Sequence, residues 1–202
     1  MRPIATLVPA GLLAAWGIHG VMTLGQKELP VLKTVPPFSL AERSGRQVRL
    51  DDLRGKVWIA DFIFTSCGGT CPGMTAQMRR VQEALGGSRR EVVLVSFTVD
   101  PERDSEAVLS AYAEKNGADS GWLFLRGERE EMARLSREGF WLGGLPPGAD
   151  RTALEKGSEP IPHDRHFALV DRQGRIRGYY DGSDPDSLAP LVRDARALLE
   201  KP

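Results

Sequence analysis

A chain of 202 residues, 41% hydrophobic and 27% charged, has room for one domain plus an appendage. Its 27 basic side chains are balanced by 27 acidic ones, which leaves no basic stripe for nucleic acid. The composition also excludes an intrinsically disordered chain.

The appendage comes first. No charged side chain occurs between Pro3 and Gln26, and Ile4 to Leu24 is largely apolar. A helix of that length spans roughly 30 Å, enough to cross a bilayer core. No convincing small-x-small cleavage site follows the apolar stretch, so residues 1–26 are expected to form an uncleaved signal-anchor. Arg2 would stay on the cytoplasmic side by the positive-inside tendency. The rest of the chain would then lie outside the cytoplasm, where a dithiol can be oxidised. Residues 27–37 carry Pro30, Pro36 and Pro37 and are expected to be an extended tether.

Residues 38–202 form the expected globular domain. Phe38–Leu40 and Gln47–Leu50 flank Ser44-Gly45 as a hairpin. Val57 to Phe64 is apolar on both faces apart from Asp61, the pattern of a central strand. Met74, Met78, Val81 and Leu85 then recur at helical spacing before Gly86-Gly87, which makes both methionines core residues. Val92 to Val99 reads as a second buried strand, and Ser105 to Asn116 as a helix capped by Ser105 and stopped by Gly117. Trp122 to Leu125 is a short strand and Glu130 to Glu138 a helix. Gly143 to Pro162 has four prolines, four glycines and no period, so it reads as a long loop. Phe167–Val170 and Ile176–Tyr180 form a hairpin, and Leu188 to Leu199 a last helix. The order predicts an α/β domain: a thioredoxin-like mixed sheet flanked by helices, behind the transmembrane segment. Ligands of such sheets bind at the carboxyl ends of the strands.

The two cysteines of the chain sit at that end, in Thr65-Ser66-Cys67-Gly68-Gly69-Thr70-Cys71-Pro72. A bridge across so short a loop removes little chain entropy, which argues for chemistry rather than structure. Cys71 opens the helix, where backbone N–H groups favour thiolate over thiol. Two thiolates so placed can form a disulfide or bind a soft metal ion. Of the three histidines, His19 falls in the apolar segment, while His163 and His166 end the long loop.

Phe64-Thr65-Ser66-Cys67-Gly68-Gly69-Thr70-Cys71-Pro72, followed by Asp100-Pro101-Glu102-Arg103-Asp104 and by His163 ahead of Phe167 to Arg175, resembles the Sco/SenC family. Its members are membrane-anchored, thioredoxin-fold copper chaperones of cytochrome c oxidase assembly. The resemblance implies a copper ion held by Cys67, Cys71 and His163, with Asp100 supporting the ligands from the next strand. Two thiolates and an imidazole suit copper(I). It further implies delivery of copper to, or reduction of the cysteines of, the copper A-bearing subunit of the oxidase. That function places the domain on the periplasmic or extracytoplasmic face of the inner membrane. Gly68 stands where the family usually has proline, which loosens the loop without removing a ligand. His166 is expected at the periphery of the site.

The main rival is an extracytoplasmic thiol-disulfide oxidoreductase, which would use Cys67 and Cys71 as a redox-active pair without His163. Three residues separate the cysteines here, against two in a thioredoxin motif. A thiol peroxidase fits less well, because Trp122 is followed by Leu123-Phe124 and Thr65 lies only two residues before Cys67. Structural zinc would need four ligands from Cys67, Cys71, His163 and His166 to converge.

Overall fold

The computed structural model describes residues 28–69, 71–141 and 165–200. At its centre are β4 (Val57–Ile63) and β5 (Val92–Thr98), every residue of which is buried. They pair in parallel along their whole length, from Val57 opposite Val92 to Ile63 opposite Thr98. Strands this apolar on both faces must be covered on both sides, and the rest of the chain does so.

Three strands extend this pair: β6 (Trp122–Arg126), parallel to β5; β7 (His166–Val170), antiparallel to β4; and β8 (Arg175–Asp181), antiparallel to β7. The expected hairpin forms from β2 (Ser39–Glu42) and β3 (Gln47–Arg49) and joins the sheet beside β6. A two-residue strand, β1 (Lys33–Thr34), completes an eight-stranded mixed sheet in the order β1-β8-β7-β4-β5-β6-β2-β3. β1 lies in the segment expected to be a tether. It is extended, as its prolines require, but it is also paired with Ile176 and Arg175 of β8.

On one face pack α2 (Cys71–Leu85), α3 (Glu106–Lys115) and α5 (Leu188–Leu199). Met74, Met78, Val81 and Leu85 of α2 meet Ile59, Ile63 and Leu94 of the sheet, so the two methionines are core residues as their spacing predicts. The other face is closed by α1 (Leu50–Leu53), α4 (Arg129–Arg134) and a π-helical turn, Leu135–Gly139. An aromatic cluster fills that side: Phe62 stacks on Phe97 at 5.0 Å, and Phe140 meets Phe62 edge-on at 5.3 Å. Each such pair adds about 0.5–1.5 kcal/mol beyond its area burial.

Two caps behave as read from sequence. Ser105 Oγ accepts from the Val108 N–H at the start of α3. Gly117 ends that helix at φ 68°, a conformation that L side chains rarely adopt.

Asp171, in the β7–β8 turn, organises the opposite edge. Its carboxylate takes Arg175 Nε and Arg177 Nη1, both at 2.8 Å, together with the backbone N–H groups of Gln173 and Arg175. Arg177 is buried as well, and its Nε donates to the carbonyls of Leu29 (3.2 Å) and Pro30 (3.0 Å). The start of the described chain is thereby clamped onto β8.

Among the described residues no helix is long and apolar enough to cross a membrane. The span expected at residues 1–26 lies outside them, as do the long loop from Gly143 to Pro162 and His163.

Candidate functional site

β4 ends at Ile63, whose carbonyl accepts from the Val99 N–H at 2.8 Å. The chain then turns, and the Cys67 N–H donates to the Phe64 carbonyl at 3.2 Å. α2 begins at Cys71, so both cysteines stand at the carboxyl end of the central strands. This is the place expected from the α/β layering.

The two thiols are not equivalent. Cys67 is partly exposed, whereas Cys71 is buried. The Gly69 N–H donates to Cys67 Sγ at 3.4 Å. The two side chains are hydrogen-bonded to each other. Burial pushes the Cys71 thiol up to about 12, and the hydrogen bond to Cys67 and the negative charges of Cys67 and Asp61 add to this, while a backbone hydrogen bond with Phe64 opposes it. This corrects the expectation of a thiolate favoured by the helix start at Cys71. Removal from water outweighs the few oriented N–H groups of the first turn.

Asp61 lies on the same side of the sheet as Cys71. It is fully buried, and neither carboxylate oxygen has a hydrogen-bond partner. Ser96 is its cross-strand neighbour; Ser96 Oγ accepts from Trp122 Nε1 at 2.9 Å, which leaves the hydroxyl hydrogen to face Asp61. Burial raises Asp61 from 3.8 to about 7, with Ser96 and the backbone offsetting part of the effect. Close by, Thr75 of α2 and Tyr112 of α3 share a hydrogen bond at 2.7 Å. The Tyr112 phenol is pushed up chiefly by burial, with smaller contributions from Asp61, Cys71 and Cys67.

Asp100, expected to support the ligands, stands just past β5 with its carboxylate turned to arginines. Arg103 lies 3.3 Å away and Arg129 4.0 Å. The acid that reaches the cysteine turn is Asp104. It accepts from the Thr65 N–H at 3.1 Å and from the hydroxyls of Thr65 and Thr98, each at 2.5 Å. His166 opens β7, half-buried and opposite Asp181 in the ladder.

Sequence reading passed over Asp61 and Asp104. The signals were an acid inside an otherwise apolar strand and the last residue of Asp100-Pro101-Glu102-Arg103-Asp104. Among the described residues no group of three or more His, Cys, Asp or Glu is arranged to hold a metal ion. The structure brings two sulfurs together, and the third donor expected from sequence, His163, lies outside the described residues.

A protein-family profile described as SCO1/SenC matches residues 26–200. The chain belongs to the SCO1/SenC family. Among relatives, a SCO1 protein homolog of Bacillus subtilis (strain 168) is 31% identical over 170 residues, covering 83% of this chain and 84% of that one. A Stutzerimonas stutzeri relative, whose name refers to copper binding, is 31% identical over 154 residues, covering 75% and 71%. Among solved structures, BsSco matches with a TM-score of 0.72 at 30% identity, over 86% of this chain and 97% of its own. BsSco is described as a member of the Sco family of cytochrome c oxidase assembly proteins in which a disulfide switch was identified. SCO1/SenC membership and the eight-stranded sheet thus agree with the thioredoxin-like expectation.

Proposed function

We propose that this chain is a copper-binding SCO1/SenC protein acting in cytochrome c oxidase assembly, with Cys67, Cys71 and His163 as the copper ligands. The carrying observation is the pair of sulfurs, hydrogen-bonded to each other at the carboxyl end of β4, one reachable from solvent and one buried. The donor set fits the ion: two adjacent thiols are a soft, partly enclosed site that suits copper(I) over hard cations. Family membership, the copper-binding name of the Stutzerimonas relative and the oxidase-assembly role of BsSco support the same reading.

In this reading residues 1–26 anchor the protein in the inner membrane. The domain faces the periplasmic or extracytoplasmic side. There it passes copper to, or reduces the cysteines of, the copper A-bearing subunit of the oxidase. Asp100, with Arg103 and Arg129, would line the approach to the ligands and support them indirectly.

The test is a competition titration of the full chain with a copper(I) chelator, alongside absorption spectra after copper(II) addition. One copper per chain is expected, with a thiolate-to-copper charge-transfer band that Cys67→Ser abolishes. His163→Ala is expected to weaken copper(I) binding by more than the roughly 10- to 100-fold that loss of a ligand's supporting partner costs, and an unchanged affinity would remove His163 from the site. A second reading, a thiol-disulfide oxidoreductase, draws on the same asymmetric pair: an accessible Cys67 to be attacked and a buried Cys71 to resolve the mixed disulfide. No copper binding together with sustained thiol-disulfide turnover would establish that reading instead.

A further inference from the structure

The turn that carries Cys67 begins where the sheet ends. Once the Ile63 carbonyl has taken the Val99 N–H, the ladder between β4 and β5 has no further rung. Phe64, Thr65, Ser66 and Cys67 then form a turn closed by the Cys67 N–H on the Phe64 carbonyl. A four-residue turn with one internal bond leaves its second residue free to swing unless another part of the fold holds it.

That residue is Thr65, and a single carboxylate holds it. Asp104 is fully buried. Its Oδ2 accepts from the Thr65 N–H at 3.1 Å and from the Thr98 hydroxyl at 2.5 Å, while Oδ1 accepts from the Thr65 hydroxyl at 2.5 Å. Thr98 is the last residue of β5, so one acid bonds the cysteine turn and the end of the neighbouring strand together. Asp104 is itself fixed. Its N–H donates to the Asp100 carbonyl at 2.9 Å, and the next residue, Ser105, caps α3. The carboxylate is therefore a rigid peg from the β5–α3 connection, inserted behind the turn that presents Cys67.

We propose that Asp104 is the positioning residue of the dithiol: by gripping Thr65 it holds Cys67 at the distance from Cys71 that both disulfide closure and two-sulfur ligation require. The part concerning ligation rests on the copper-binding reading above; the part concerning the disulfide does not. Two thiols held in register react as an intramolecular pair, and loosening one of them lowers their effective concentration. Asn can keep one of the acceptor functions and Ala neither. Thr65→Val removes one hydroxyl donor while leaving Asp104 and the backbone N–H in place.

The experiment uses the full chain as wild type, Asp104→Asn, Asp104→Ala, Thr65→Val and, as a control, Asp171→Asn. Asp171 is likewise a buried, multiply bonded acid, but it serves the β7–β8 turn. The first readout is the metal-free equilibrium with glutathione. Cys67 and Cys71 give up two electrons and two protons and form one S–S bond, while the disulfide of oxidised glutathione breaks to give two thiols. Asp104→Ala and Thr65→Val are expected to lower that constant at least tenfold, about 30 mV for a two-electron couple. Asp104→Asn is expected to fall between them and wild type. The second readout, copper(I) affinity by chelator competition, is expected to fall at least tenfold in the same variants.

Asp171→Asn should lower the melting temperature while moving both readouts by less than twofold. If Asp104→Ala does not fold, Thr65→Val decides. A glutathione constant within twofold of wild type in Thr65→Val and in whichever Asp104 variants fold would reduce Asp104 to a structural residue and overturn the proposal. Failure of wild type to bind copper would overturn the copper-binding reading alone, because the glutathione equilibrium tests the peg without metal.

Discussion

Asp61→Asn isolates the energetic consequence of placing an acid in the middle of β4. The substitution keeps shape and polarity but cannot ionise. In the folded protein burial lifts Asp61 to about 7, while an exposed aspartate titrates at 3.8. Between those values the folded state holds a proton that the unfolded state has released. Stability therefore falls as pH rises through this window, by about 1.4 kcal/mol per pH unit. Across the whole window the loss is ~4 kcal/mol, a large share of the 5–15 kcal/mol typical of a domain. Urea unfolding of wild type and Asp61→Asn at pH 5 and pH 8 measures the part above pH 5. The stability of the variant relative to wild type is expected to rise by about 3 kcal/mol between the two conditions. Other titrating groups cancel in that double difference. An equal difference at both pH values would refute the reasoning and show Asp61 to be solvated or paired in the folded protein.

The remaining predictions concern reactivity and the far edge of the sheet. In the metal-free reduced protein, iodoacetamide at pH 8 should alkylate the accessible Cys67 well before Cys71, whose thiol is buried and pushed up to about 12; peptide mapping that finds Cys71 modified first would contradict this ordering. Arg177→Met should destabilise the domain by about 3 kcal/mol, because it removes a buried partner of Asp171. It should also speed proteolysis between Glu28 and Lys33, since the Leu29 and Pro30 carbonyls lose their donor. An unchanged cleavage rate there would show that β1 pairing alone holds the segment.

Much of the fold was legible because its signals are local. β4 and β5 are apolar without interruption, Ser105 and Gly117 bracket α3, and the methionines of α2 recur at helical spacing, so element type and order follow from neighbouring residues. The placement of Cys67 and Cys71 at a strand-to-helix junction was legible for the same reason. What was not legible depends on contacts between distant segments. Asp100 and Asp104 share one motif, and nothing in it says which acid faces the cysteine turn. The turn into α3 decides: it points Asp104 inward to Thr65 and leaves Asp100 with Arg103 and Arg129. Similarly, a helix start predicts a thiolate at Cys71, but the burial that reverses the prediction is set by how α2 settles on the sheet. The pairing of Lys33–Thr34 with β8 joins residues more than a hundred positions apart, beyond the reach of any local pattern.

The direction of β1 has a geometric consequence. β8 runs parallel to β4, because β7 is antiparallel to both, and β1 is antiparallel to β8. Traced backward over its two paired residues, the chain heads toward the end of the sheet that carries Cys67, but Arg177 then draws the Leu29 and Pro30 carbonyls to the guanidinium that also bonds Asp171 in the β7–β8 turn. That turn lies at the opposite end of β4 from Cys67, because Val170 pairs with Trp58. If residues 1–26 anchor the protein as proposed, the segment that ties the domain to the membrane is gripped away from its reactive end, which leaves the dithiol unobstructed by its own leash.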